Sequence, residues 1–238
     1  MRPKIICHMV SSIDGRLEPE RWTLPVSGSK SDLLDIYEQV AERLNADGWM
    51  IGRKTMAYYA KGSPQKTVNT PTNLRDTFIA DGYSGNKAAI GLDPLGRLHY
   101  QQNKVNGNHL ISILGEQVPD SYLAELRSMG ISYLFAGKDG QDLNKAMEVL
   151  GKDFGIRSIL LEGGALINGS FLKAKLIDEI SLLIYPGIDG LSGVPSIFEY
   201  AGQAGEQPAQ GLSLSLIAAE TLCDSMVWIR YKVQNTGA

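Results

Sequence analysis

Residues 158–173 read SILLEGGALINGSFLK. Ser158 to Leu161 is an apolar run of strand length, and Gly164 to Lys173 reads as a helix. Between them the chain places a carboxylate, Glu162, and two glycines, Gly163 and Gly164. A strand that passes through such a turn into a helix is a βα unit, the building block of a mostly parallel sheet. Paired glycines let a phosphate group approach the backbone and the positive end of the following helix dipole. The same residues also make a tight βα turn with an exposed Glu, so the stretch alone leaves both readings open.

Working outward, the alternation continues. On the N-terminal side, Leu143, Ala146, Met147 and Leu150 mark a helix capped by Asp142, and Ile131 to Phe135 a strand. Pro119 to Met129 is a helix stopped by Gly130, and Leu110 to Leu114 a strand. Residues 61–108, with Pro64, Pro71 and Pro94, form the least regular region; Leu74 to Ala80 and Ala88 to Leu92 read as short strands inside it. Before it come the strand Trp49 to Ile51, the turn at Gly52 and a short helix from Thr55 to Ala60. Leu33, Ile36, Tyr37, Val40 and Leu44 fall at helical spacing behind Ser31 or Asp32 as N-cap, and Ile5 to Val10 is a first, buried strand. On the C-terminal side the pattern changes. Glu179 to Tyr185 is a strand, and then Leu212, Leu214 and Leu216 alternate with polar residues. Met226 to Val233 alternates again, with Val227, Ile229, Tyr231 and Val233 on one face. Two alternating strands joined near Cys223 and Asp224 predict an antiparallel hairpin. The expectation is one α/β domain over residues 1–238, a mostly parallel sheet flanked by helices with a C-terminal antiparallel hairpin.

Composition narrows the function. The 238 residues are 43% hydrophobic and 21% charged, the balance of a globular protein. A net charge of −3 is no electrostatic footprint for nucleic acid. No apolar run reaches the ~20 residues of a spanning helix, and the N-terminal run ends at Ser11-Ser12-Ile13-Asp14-Gly15 without a cleavage signature. A cytoplasmic enzyme is the expectation, with Cys7 and Cys223 as buried thiols. His8, His99, His109 and the two cysteines are too scattered for a metal site, and no zinc-deaminase, Walker A or Gly-x-Gly-x-x-Gly pattern is present.

Three segments remain, each at the end of an expected strand, where α/β sheets bind ligands. In Ser12-Ile13-Asp14-Gly15-Arg16, Asp14 accepts hydrogen bonds either from a ligand or within a plain Asp-Gly turn. In Gly52-Arg53-Lys54-Thr55, the glycine turns the chain, Thr55 offers a hydroxyl and N–H to a phosphate, and Arg53 suits a ribose 2′-phosphate. The bland alternative is a solvated basic helix start. The third is Glu162-Gly163-Gly164-Ala165.

In this order the segments resemble the reductase domain of the riboflavin-biosynthesis deaminase–reductase family. Its members carry Ser-x-Asp-Gly-Arg after the first strand, and Glu-Gly-Gly before a helix and an Ile-Asp-Glu step, here Ile177-Asp178-Glu179. Pro186 and Gly190 follow the next strand as in the family. The resemblance implies a dihydrofolate-reductase-like fold, NADPH as cofactor, and hydride transfer to a C=N or C=O carbon, as in a 5-amino-6-(5-phosphoribosylamino)uracil reductase of riboflavin biosynthesis. It further implies that Gly52, Thr55, Gly163, Gly164 and Ala165 line the cofactor, with Arg53 on its 2′-phosphate. Glu162 and Asp14 become the catalytic candidates, and Ser27, Arg43 and Glu162 the substrate-binding ones. A homodimer through the C-terminal strands is implied as well. Two other functions stay open: a dihydrofolate or other heterocycle reductase, for which Asp32 or Asp35 would supply the helix carboxylate, and a non-catalytic nucleotide-binding regulator.

Overall fold

The computed structural model describes residues 1–26, 32–64, 73–85 and 87–237. Its elements run β1 (Lys4–Ser11), α1 (Leu33–Leu44), β2 (Gly48–Gly52), α2 (Arg53–Ala60), β3 (Ala88–Leu92), β4 (Lys104–Val105), β5 (Asn108–Leu114), α3 (Asp120–Ser128), β6 (Ser132–Phe135), α4 (Leu143–Lys152), β7 (Ser158–Leu161), α5 (Ala165–Lys173), β8 (Glu179–Ile184), β9 (Leu212–Thr221) and β10 (Val227–Asn235). The chain forms two compact units, one of residues Met1–Pro3 and Asp47–Ile159, the other of Lys4–Ala46 and Leu160–Ala238.

In the first unit β2 pairs with β3, β3 with β5 and β5 with β6, all parallel, and β4 adds a short antiparallel edge to β5. Parallel strands need crossover connections; α2 lies in the one from β2 to β3, and α3 forms the one from β5 to β6. The Asp142 side chain accepts the Lys145 N–H at 2.9 Å, a cap that contributes about 1 kcal/mol. Leu143, Ala146, Met147 and Leu150 form the buried stripe of α4. Gly130 follows α3 at φ +69°, a left-handed position that ends the helix. Met56, Leu110, Leu114, Leu123, Leu126 and Tyr133 lie in one buried cluster, each such side chain contributing roughly 1.5–3 kcal/mol.

Residues 74–80 do not form the expected strand: only Phe78 bridges to Tyr133. The polar groups of that segment go to side chains instead. Tyr133 Oη donates to the Leu74 carbonyl at 2.8 Å, and the Ala80 N–H donates to Ser132 Oγ at 3.0 Å. α2 begins at Arg53, two residues ahead of the expected start, because Gly52 is already extended at ψ 164° and serves as its N-cap.

In the second unit β1 runs parallel to β8, β10 antiparallel to β8, and β9 antiparallel to β10. Asp32 takes the N-cap of α1, whose Leu33, Ile36 and Val40 pack with Trp22, Leu183, Tyr185, Met226 and Trp228. That packing sets the two faces of β10 apart. Met226 and Trp228 point into the core, while Val227, Ile229, Tyr231 and Val233 are only half-buried. Trp228 Nε1 donates to Ser181 Oγ at 2.8 Å, which leaves the hydroxyl hydrogen for His8 Nδ1 at 3.1 Å. His8 therefore carries its own hydrogen on Nε2, toward the Tyr37 carbonyl at 3.4 Å. The ring stacks on Tyr37 at 4.3 Å, and burial pulls its pKa down to about 4. Cys7 is buried, as expected, but Cys223 is exposed, because the turn joining β9 to β10 projects into solvent. Leu214, Leu216 and Ile217 of β9 are exposed as well.

Candidate functional site

β7 delivers Glu162 as the sequence requires: Ile159, Leu160 and Leu161 are buried, and the carboxylate follows at the strand's end, half-buried. Removal from water pushes its carboxyl up to about 8, and the negative charge of Glu38 on α1 adds to the shift. At neutral pH Glu162 therefore keeps its proton and is a hydrogen-bond donor. Glu38 went unnoticed in the sequence; it is an exposed helix position, and nothing local announces that it faces Glu162.

Gly163 and Gly164 shape the turn. Gly163 sits at φ +86°, and a Cβ there would meet the Met9 thioether of β1 at 3.0 Å. β7 and β1 thus end at the same edge of the sheet. Gly164 is exposed, and a Cβ on it would meet nothing within 4 Å. Gly164 is the N-cap of α5, and its carbonyl accepts the N–H groups of Ile167 and Asn168, each at 3.1 Å. The N–H groups of Ala165 and Leu166 belong to the first turn, which has no acceptors within the helix. Open space beside helix-end donors fits an anionic group. Asn168, missed by the sequence reading, is fully buried one turn further on. Its Nδ2 donates to the Ile197 carbonyl at 2.9 Å, and its Oδ1 has no partner among the described residues.

Asp14 stands where the resemblance puts it, after β1, but its oxygens are occupied. It accepts the Ser12 hydroxyl at 2.7 Å and the backbone N–H groups of Asp189 and Gly190 at 3.1 and 2.8 Å. The Ser12 hydroxyl first, then the Gly190 and Asp189 N–H groups, hold its carboxyl well below the usual range. Arg43 is likewise engaged. It forms a bidentate pair with Glu220 of β9 at 3.1 and 2.6 Å, and its guanidinium lies 4.4 Å from the Trp228 ring centroid. The substrate-side candidate Ser27 lies outside the described residues. Asp35, the alternative helix carboxylate, is exposed in the first turn of α1, and Asp32 is its N-cap.

The Gly52-Arg53-Lys54-Thr55 segment belongs to the first unit. Gly52 closes β2 opposite Leu92 of β3, so Arg53 emerges beside Asp93. Asp93 is buried, and its Oδ2 accepts the N–H groups of Arg97 and Leu98 at 2.6 and 2.8 Å. Burial raises its pKa; those bonds, Tyr122 and the Arg53 charge oppose the rise. Arg53 and Thr55 are half-buried, at the start of α2. Among the described residues no cluster of His, Cys, Asp or Glu could hold a metal, and no helix is long and apolar enough to cross a membrane.

A mixed α/β sheet whose strand ends present a half-buried acid and a Gly-Gly helix start defines a protein that takes a small ligand at its strand ends. The family model described as the RibD C-terminal domain matches residues 3–228, and the chain belongs to that family. Among its relatives is the 2,5-diamino-6-ribosylamino-4(3H)-pyrimidinone 5′-phosphate reductase of Methanothermobacter thermautotrophicus. The two are 26% identical over 98% of this chain and 100% of that one. The protein of the same name from Aquifex aeolicus is 26% identical over 82% of each chain. Among solved structures, a pyrimidine reductase-like protein from Corynebacterium diphtheriae aligns with a TM-score of 0.65 at 18% identity, covering 98% of this chain and 92% of that one. Acinetobacter baumannii RibD aligns at 0.66 and 20% identity, and the chain spans 58% of its length. At these identities the structures show the fold, the dihydrofolate-reductase-like architecture that the sequence motifs imply.

Proposed function

We propose that this protein is the reductase of riboflavin biosynthesis that reduces a ribosylaminopyrimidine phosphate to its ribitylamino form, with NADPH as cofactor. Its relatives bear the name of that reductase, and a reductase of this family works with a nicotinamide cofactor. The observation that carries the reading on the chain itself is the Glu162-Gly163-Gly164 turn: an acid that keeps its proton at neutral pH beside an open helix start.

When bound, the cofactor supplies a hydride to the C=N carbon. The chain's residues do the rest. Gly163, Gly164 and Ala165 receive the pyrophosphate, because Gly164 leaves the space and α5 the donors. Gly52, Thr55 and Arg53 are assigned to the cofactor too, Arg53 for the 2′-phosphate that marks NADPH. Glu162 orients the substrate and holds a proton at its carboxyl for the nitrogen of the reduced bond. Arg43 and Asp14 are less suited to contact substrate, since both are engaged within the protein. The exposed Leu214, Leu216 and Ile217 of the edge strand β9 favour a homodimer built through that strand. The enzyme is assigned to the cytoplasm. The test is NADPH oxidation with the pyrimidine phosphate beside dihydrofolate. Turnover of the pyrimidine alone supports the assignment, and turnover of dihydrofolate alone replaces it.

A further inference from the structure

The loops that follow β1 and β8 are bonded to each other along their length. The Ile13 N–H donates to the Gly187 carbonyl at 2.8 Å, the Leu17 N–H to Pro195 at 3.1 Å and the Thr23 N–H to Ile188 at 3.1 Å. Arg16 Nη1 donates to the Val194 carbonyl at 2.7 Å. Two carboxylates make the junction, one from each loop. Asp14 takes the Ser12 hydroxyl and the N–H groups of Asp189 and Gly190, as described above. Asp189 takes the Arg21 guanidinium on both oxygens, at 2.7 and 3.0 Å, and the Leu191 N–H at 3.0 Å. Backbone and side chain of Asp189 thus bond to two different points of the first loop.

Asp14 accepts three hydrogen bonds, two on Oδ1 and one on Oδ2, with Arg16 Nε 3.9 Å from Oδ2 besides, so its carboxylate is tied into the protein in the resting structure. What such a group supplies is position. The first loop leaves β1 at the edge where β7 ends, since Gly163 packs on Met9. The loop after β8 in turn meets the helix that follows the Glu162 turn: the Glu199 N–H donates to the Ala165 carbonyl at 3.0 Å, and Asn168 Nδ2 donates to the Ile197 carbonyl at 2.9 Å.

We infer that Asp14 is a positioning residue of the reductase site: its carboxylate staples the loop after β1 to the loop after β8 and so holds the substrate-side border of the Glu162 turn in place. The catalytic half of this inference rests on the proposed function; the staple itself does not. Two measurements on the full chain separate them. The first is hydrogen exchange of the Asp189 and Gly190 amides in wild type, Asp14→Ala and Asp14→Asn. We expect exchange about tenfold faster or more in Asp14→Ala, with an intermediate effect in Asp14→Asn, whose one remaining acceptor still holds one N–H. Unchanged protection overturns the staple.

The second is steady-state reduction of the pyrimidine phosphate from pH 6 to 10. In Asp14→Ala, KM should rise about tenfold with kcat within about threefold, Asp14→Asn should recover most of the KM, and the pH midpoint set by Glu162 should not move. A kcat loss of about a hundredfold at unchanged KM, or a shifted midpoint, would make Asp14 an acid–base group and overturn the inference. Equal KM in all three proteins overturns it too. If Asp14→Ala does not fold, Asp14→Asn carries both measurements. If wild type does not turn over the pyrimidine, the proposed function fails while the exchange result still decides the staple.

Discussion

Glu162→Gln keeps the shape and hydrogen-bonding capacity of the protonated acid and removes its ionisation, so it isolates the cost of the buried charge. Burial lifts Glu162 from its ordinary 4.5 to about 8. A lift of that size corresponds to roughly 5 kcal/mol of preference for the neutral form, and partial access to water reduces it to about 2–4 kcal/mol. The sign follows from proton counts. Below pH 4.5 the carboxyl is neutral in both folded and unfolded chains, and it costs nothing. Between 4.5 and about 8 the folded chain binds more protons than the unfolded one, so stability falls as pH rises. Above 8 the full cost is present. Urea unfolding of wild type and Glu162→Gln should therefore coincide near pH 4.5 and diverge by about 2–4 kcal/mol in favour of the variant at pH 9. A difference that is the same at both pH values would refute the buried-acid account, because an exposed turn carboxylate has no such pH dependence.

Four further outcomes are expected. Gly164→Ala adds a methyl group into open space, so the melting point without ligand should move by no more than a few degrees while cofactor Kd rises about tenfold or more; tight binding by the variant would make the turn purely structural. Arg53→Ala should erase about one to two decades of preference for NADPH over NADH, read from the two dissociation constants by fluorescence titration. Gly169→Ala would drive its Cβ into the Glu199 carbonyl oxygen and should destabilise the fold by about 3 kcal/mol in urea unfolding. Light scattering should give twice the chain's mass, and Leu216→Lys on the exposed edge strand should return it to the monomer.

What was legible in the sequence followed local chemistry. Ser158 to Leu161 is bounded by Arg157 and Glu162 and came out with its limits unchanged, and Asp142 caps α4 as its position before the apolar stripe requires. The Glu-Gly-Gly turn was legible because strand, glycines and helix are contiguous. Failures arose where distant residues decide. The two-residue β4 carries too little pattern to read. Arg43 reads as a free cation until Glu220, 177 residues away, is placed against it. Asp14 reads as a candidate catalyst until the N–H groups of Asp189 and Gly190, 175 and 176 residues away, are placed on its two oxygens. Glu38, which raises the Glu162 pKa, is invisible for the same reason: α1 and the end of β7 meet only in the fold.

Incubation of the purified protein with NADPH and 2,5-diamino-6-ribosylamino-4(3H)-pyrimidinone 5′-phosphate, with absorbance at the nicotinamide band and product mass followed together, decides whether the protein is this reductase. The expected result is saturable NADPH oxidation, a ribitylamino product heavier than the substrate by two hydrogens, and a kcat/KM lower by ~10²-fold in Glu162→Gln with cofactor affinity within about threefold. Tight NADPH binding with no oxidation against this pyrimidine, or full activity in the variant, would contradict it.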